Sequence, residues 1–292
     1  MSIKDLFTQK KRPILSFEIF PPKKDSPIET VFTTIAELKN LNPDFISVTY
    51  GAGGSSKDRT VEIASLIKHQ YGIESLAHLT CISSTKEEID EILTTLKNNQ
   101  LENVLALRGD LPQDPNFKFP TPLHYRYAKD LISHIKEKNY FSISAACYPE
   151  GHIECASLTQ DIEYLKEKIA AGVDLLITQL FFDNEKLYNF LDKIRKAGIN
   201  VPVTAGIMPL FNKKQLAHCL SLSNATLPKK FTQILHQYGN NEEALHEAGI
   251  EYATNQITEL LDWGIDGIHL YSMNRAQTIQ KIVKNISPKL PG

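Results

Sequence analysis

The sequence has 292 residues, 42% hydrophobic and 23% charged, with 14 glycines and 15 prolines, a balance that excludes disordered, collagen-like and coiled-coil chains. A chain this long should bury roughly 75% of its unfolded surface, enough for one large α/β barrel or two ordinary domains. Its 32 Lys and Arg nearly match its 34 Asp and Glu, and this formal charge of -2, without long blocks of one sign, argues against a nucleic-acid partner.

The opening residues, MSIKDLFTQKKRPILSF, carry early charges but no apolar core ahead of a cleavage site, and no later run has the roughly 18 apolar residues that span a bilayer. A cytoplasmic protein with no membrane partner is expected. β-Branched and apolar runs then recur: ILSFEIF from Ile14, FISVTY from Phe45, LAHLTC from Leu76 and VLALRGD from Val104. The series continues with ISAACYPE from Ile143, LLITQLFFD from Leu175, VPVTAGIMP from Val201 and GIHLYSMN from Gly267. Between them lie helical spacings such as Val61, Ala64, Ile67, then Ile89, Ile92, Leu93, Leu96, and Ile162, Leu165, Ile169, several closing near Gly72, Gly172 or Gly198. Eight β-then-α units predict an α/β fold, a single (β/α)8 TIM barrel over residues 1–292, where a doubly wound sheet would carry fewer strands and a Gly-rich dinucleotide loop. The long stretch between Pro209 and Gly267 exceeds one helix. It predicts a helical insertion between strands seven and eight, with an amphipathic helix near Pro228 to His236 and another from about Glu242 to Trp263.

Side chains alternate along a strand, so Ser16 and Glu18 share one face. The same holds for Ser47 and Thr49, His78 and Thr80, Arg108 and Asp110, Tyr148 and Glu150, and His269 and Tyr271. In a barrel this face looks inward at the C-terminal mouth, where barrel enzymes place their chemistry. Glu18 stands in the apolar segment Phe17 to Pro22, where burial disfavours the charged form and suits a general acid; a paired structural carboxylate is the alternative. Gly51 to Ser56, following a strand and preceding a helix, is either a phosphate cradle or a tight loop that lets backbone approach a ligand, and it matches neither G-x-G-x-x-G nor a P-loop. Arg108-Gly109-Asp110 opens a rigid loop with Pro112, Pro115, Pro120 and Pro122, and Gly109 would admit a planar ligand to the backbone; an ion pair closing the strand is the alternative. His152-Ile153-Glu154 lacks the P-C-x-x-C partner of a zinc deaminase, and Cys81, Cys147, Cys155 and Cys219 form no C-x-x-C pair, so reduced thiols and no metal are expected.

Taken in order, FEIFPPK at 17–23, SVTYGAGGS at 47–55, AHLTC at 77–81, LALRGDLP at 105–112, AACYPEGH at 145–152, ITQLFFD at 177–183, AGIMP at 205–209 and LYSMNRA at 270–276 closely resemble methylenetetrahydrofolate reductases of the bacterial catalytic-domain type. The resemblance runs from the first strand to the last helix. It implies a barrel with noncovalent FAD across its mouth that reduces 5,10-methylenetetrahydrofolate to 5-methyltetrahydrofolate in ping-pong fashion, for methionine synthesis. It also implies NAD(P)H as donor, with NADH favoured over NADPH, and a homo-oligomer. Under it Glu18 is the general acid, and Asp110 is the acid beside flavin and pterin. Thr49, His78, Arg108, Gly109, Tyr148 and His152 are flavin contacts, and Asp161 and Lys168 are contacts to the FAD ribose or phosphate. Gln179 faces the pterin, while Tyr271 and Arg275 line the mouth. One position departs: Lys213 stands where the family has a stacking aromatic, and Phe211 nearby could supply the ring. The other readings are another flavin-dependent barrel, such as a proline dehydrogenase, and a flavin-carrying subunit of an electron-transfer complex. The sequence ends at Gly292 just after the last expected helix, so no regulatory domain is expected.

Overall fold

A computed structural model describes residues 1–22, 26–50, 57–111, 114 and 116–290. The stretch Gly51 to Ser56 and the prolines Pro112 and Pro115 lie outside the described residues. All eight expected strands form: β1 (Ile14–Ile19), β2 (Phe45–Val48), β3 (Glu74–Thr80), β4 (Asn103–Leu107), β5 (Ser142–Cys147), β6 (Leu175–Thr178), β7 (Val203–Ile207) and β8 (Gly267–Tyr271). They pair in parallel in sequence order, and β8 closes on β1. Followed once around the circuit, the registers advance the chain by eight positions, the shear of a (β/α)8 barrel.

Outside the sheet run α2 (Glu29–Lys39), α3 (Lys57–His69), α4 (Lys86–Asn98), α5 (Ala128–Glu137), α6 (Leu158–Ala171), α7 (Asn184–Lys196), α10 (Glu242–Trp263) and α11 (Ala276–Ile286). Their ends follow local chemistry. Thr85 and Glu88 form a capping box at the start of α4, and Gly172 closes α6 with φ 118°, a left-handed conformation that suits glycine. The expected insertion between β7 and β8 is present as α8 (Lys213–Ser221) and α9 (Lys229–Tyr238), while the expected helix α10 completes the ring, burying Ile250, Ala253, Ile257 and Leu260 in the main core and packing against α7 and α11. The insertion carries a satellite core in which Phe231 and Leu216 pack with Leu245, Phe182 and Leu210.

One element escapes the sequence pattern. The helix α1 (Ile3–Gln9), too short for a periodic signal, buries Ile3 and Leu6 against Ile14, Phe45, Leu76, Leu105 and Leu175 inside the barrel. This helix seals the bottom. Above that apolar layer the interior turns polar, through buried Ser16, Ser47, Ser144, Thr204 and His269, and then Glu18 and His78 near the mouth.

Three aspartates, each one residue before an even-numbered strand, tie the bottom of the barrel together. Asp44 accepts the Leu15 N–H at 2.8 Å, Asp174 that of Ile143 at 3.1 Å, and Asp266 that of Val203 at 2.9 Å. Each also meets a cation: Lys10 and Arg12 at Asp44, Lys4 at Asp174, and Arg195 at Asp266. Removing one member of a buried pair leaves the other charge and the N–H uncompensated. Asp44→Ala, at a fully buried carboxylate, is therefore expected to lower the unfolding free energy by about 3 kcal/mol. Asp266→Ala, at a carboxylate 42% exposed, should lose only about 1 kcal/mol. Urea unfolding of the two variants checks the order, and equal losses would show that burial does not set the strength of these ties.

Candidate active site at the barrel mouth

The closure of β8 on β1 places Glu18 beside Tyr271, and β2 sets Ser47 on its other side. The Glu18 carboxylate is only 7% exposed, and its Oε2 lies 3.5 Å from His78 Nε2 and 3.6 Å from His269 Nε2. Three strands thus bring one carboxylate and two imidazoles together on the barrel axis. His269 is fixed through Nδ1 to Ser16 Oγ at 2.8 Å, through Nε2 to Ser47 Oγ at 3.4 Å, and by stacking on Phe45. The alternation of side chains puts His269 on the inward face but does not mark a role for it.

Buried His78 has no hydrogen-bond partner at Nε2. Burial pushes its pKa down to about 4, with the Glu18 carboxylate pulling upward and His269 downward. At neutral pH it is therefore an uncharged imidazole, a donor or acceptor held ready at the mouth. The Tyr271 hydroxyl donates to the Thr178 carbonyl at 2.7 Å, and burial raises its pKa well above the ordinary phenol value. It crosses above Gly206, where a Cβ would lie 2.6 Å from the hydroxyl oxygen.

The loops supply the remaining candidates. Half-buried Thr49 continues the ladder past β2, donating its N–H to the Ile19 carbonyl. Arg108 and Asp110 lie just beyond β4, and Tyr148 and Glu150 just beyond β5. Arg108 pairs bidentately with Glu154, at 2.5 and 2.7 Å, while Asp110 is exposed. The partner that closes this strand end thus comes from the next loop. Gly109 has φ +84°, and a Cβ there would lie 2.9 Å from Thr80 Cβ, so only glycine fits. His152 stands edge-on to Tyr148 with ring centroids 4.7 Å apart, and burial lowers its pKa. Buried Asp161 accepts the His152 N–H at 3.1 Å, and Lys168 donates to the Ala146 carbonyl at 2.9 Å, so both brace the segment that carries Tyr148 and His152.

A cleft of about 280 Å³ opens among Arg108, Asp110, Tyr148, His152 and Gln179, and residues 221–225 also line it. Gln179 anchors its own loop, its N–H on the Cys147 carbonyl and its Oε1 accepting from Leu180 N–H. Phe211 and Lys213 do not line this cleft. Phe211 is buried with its ring 4.7 Å below the Arg275 guanidinium and tilted against His246. Lys213 opens α8 and lays its stem across Gly239 at the end of α9. All four cysteines are free thiols, three of them buried. Among the described residues no helix is long and apolar enough to cross a membrane.

Residues 3–287 match the family model described as methylenetetrahydrofolate reductase. The chain is 38% identical over 263 residues to the 5,10-methylenetetrahydrofolate reductase of Escherichia coli, covering 90% of this chain and 87% of that one. It is 37% identical over 290 residues to methylenetetrahydrofolate reductase (NADH) 1 of Arabidopsis thaliana, covering 96% of this chain and 49% of that protein. The chain thus spans about half the length of the plant relatives it matches. Among solved structures, an uncharacterized protein from Clostridium thermocellum that binds two copies of 5-methyl-5,6,7,8-tetrahydrofolic acid superposes with a TM-score of 0.72 at 16% identity, covering 98% of each chain, and so shares the fold.

The buried neutral state of His78 has a measurable consequence. Between its native value near 4 and its unfolded value of 6.5 the unfolded chain binds more protons. His78 therefore adds no pH dependence above about 6.5 and destabilises the fold progressively as pH falls toward 4, on the order of 3 kcal/mol when complete. Urea midpoints measured across that range should fall less steeply for His78→Gln than for the parent. Equal acid slopes would show that His78 is not buried in its neutral form.

Proposed function

The chain belongs to the methylenetetrahydrofolate reductase family, and on that premise we propose that it reduces 5,10-methylenetetrahydrofolate to 5-methyltetrahydrofolate with NAD(P)H, NADH favoured, through noncovalent FAD at the barrel mouth. The observation that carries this reading is the buried Glu18 carboxyl held between His78 and His269 on the axis of the mouth. NADH appears in the names of the plant relatives. The residues present fit a planar aromatic cofactor with polar edges. His78 offers a buried ring nitrogen without a partner, and Gly109 leaves backbone where a side chain would collide.

Thr49, His78, Arg108, Gly109, Tyr148 and His152 would hold FAD, with Asp161 and Lys168 supporting them through the segment they brace. When bound, FAD supplies the carrier that takes hydride from the nicotinamide and returns it to the folate. Gln179 orients the pterin. Glu18, as the general acid, delivers a proton to a weakly basic nitrogen of the folate's five-membered ring, which opens to a 5-iminium cation. Asp110, exposed at the cleft, favours that cation by its negative charge. Tyr271 keeps its hydroxyl on the Thr178 carbonyl and forms floor, while Phe211 serves the ligand by supporting Arg275 from below. The family resemblance also supports a cytoplasmic homo-oligomer that supplies methyl groups for methionine synthesis.

Ring opening needs a proton and hydride transfer from nicotinamide does not, so the two half-reactions should separate. Glu18→Gln is expected to retain FAD, to be bleached by NADH at close to the parent rate, and to lose about 10²–10⁴-fold in folate reduction. Rapid mixing of each half-reaction measures this, and near-parent folate reduction would make Glu18 a structural carboxylate. Asp110→Asn should likewise slow the folate half-reaction more than flavin reduction; an equal loss in both would reject its role beside the cation.

A further inference from the structure

Both carboxylate oxygens of Glu150 are taken by a single residue. Thr226 donates its N–H to Oε1 at 3.0 Å and its hydroxyl to Oε2 at 2.6 Å. Beside it the Asn224 side-chain amide donates to the Gly151 carbonyl at 3.2 Å. These bonds join the loop after β5, which carries Tyr148 and His152, to the connection between α8 and α9.

That connection is folded on itself. The Leu222 N–H reaches the Cys219 carbonyl at 3.3 Å, the Ser223 hydroxyl reaches it at 2.9 Å, and the Ala225 N–H returns to Ser223 Oγ at 3.3 Å. It lines the same cleft as Gln179, and there Leu222 is 56% exposed. A large apolar side chain held open at the edge of a ligand cleft gains burial only when a ligand covers it. With both oxygens accepting, Glu150 works as a clamp.

We propose that Glu150 is a positioning residue that, through Thr226, fixes the α8–α9 connection as a wall of the mouth cleft, so that Leu222 meets the planar ring of either substrate. The inference rests on the reductase reading, in which nicotinamide and folate occupy the same cleft in turn. A charge-assisted hydrogen bond lost from such a wall weakens both ligands while leaving the chemical step alone.

The test uses the FAD-loaded chain with Glu150→Ala, Thr226→Val and the conservative Thr226→Ser. The first two are expected to raise KM for NADH and for methylenetetrahydrofolate about fivefold to tenfold, with kcat within about twofold and FAD content unchanged. Thr226→Ser, which keeps the hydroxyl, should stay near parent values. Hydrogen exchange at the Thr226 amide, read without substrates, should accelerate in Glu150→Ala. A fall in kcat at constant KM would overturn the proposal by making Glu150 a chemical participant. Faster exchange at unchanged KM would overturn it by showing that the clamp is structural only. A parent chain that binds FAD without turnover defeats the reductase reading instead; the wall is then judged on NADH titration alone, where equal Kd for parent and Thr226→Val overturns it.

Discussion

The pairing of β8 with β1 is the constraint from which the site follows. It sets Ser16 against His269 and Glu18 against Tyr271, residues more than 250 positions apart in the chain. Because a parallel barrel allows only one inward face per strand, this register decides which polar groups share the axis. A shift of one residue would send Glu18 and His269 outward into the hydrocarbon layer of Phe17 and Leu270 and leave the mouth without an acid or an imidazole. The register is in turn held from below, where Asp266 accepts the Val203 N–H and offers its carbonyl to Ile14 N–H.

The two ends of the barrel therefore do different work. At the bottom, carboxylates sit at strand starts with cations and backbone donors, an arrangement that resists change. At the top, buried His78 Nε2 has no hydrogen-bond partner, and Arg108 and Glu150 are joined to residues from other loops. An unsatisfied buried polar group destabilises the fold locally, and at the mouth such a group is placed where a ligand can satisfy it.

How much of this could be read from the chain depends on how local each signal is. Strands were legible because runs such as ILSFEIF and LLITQLFFD are short, apolar and bounded by breakers. The insertion was legible because the distance from Pro209 to Gly267 is too long for one helix, and α9 falls where amphipathic spacing puts it, with α10 following as the further helix expected. Helix α1 was not, since one buried turn has no period. The cluster around Glu18 was half legible: alternation turns Glu18, His78 and His269 inward, but only closure shows that they meet. The partners of Arg108 and Glu150 were not legible, because an ion pair between loops depends on loop paths that no periodicity encodes. The same holds for Phe211, whose place beneath Arg275 follows from the packing of α8, α10 and α11.

The plug made by Ile3 and Leu6 closes the bottom of the barrel among the described residues, so the polar interior opens toward the mouth. Among the described residues, water and hydronium approach Glu18, His78 and His269 from the mouth, where Glu18 is 7% exposed and His269 is fully enclosed. A flat ligand lying across that mouth would cover the three groups and cut them off from bulk water. A proton handed to the ligand would then be one loaded before the ligand arrived. Acidity of the surroundings would then act on the interval between successive occupants, while the covered state would run on the inventory it was sealed with.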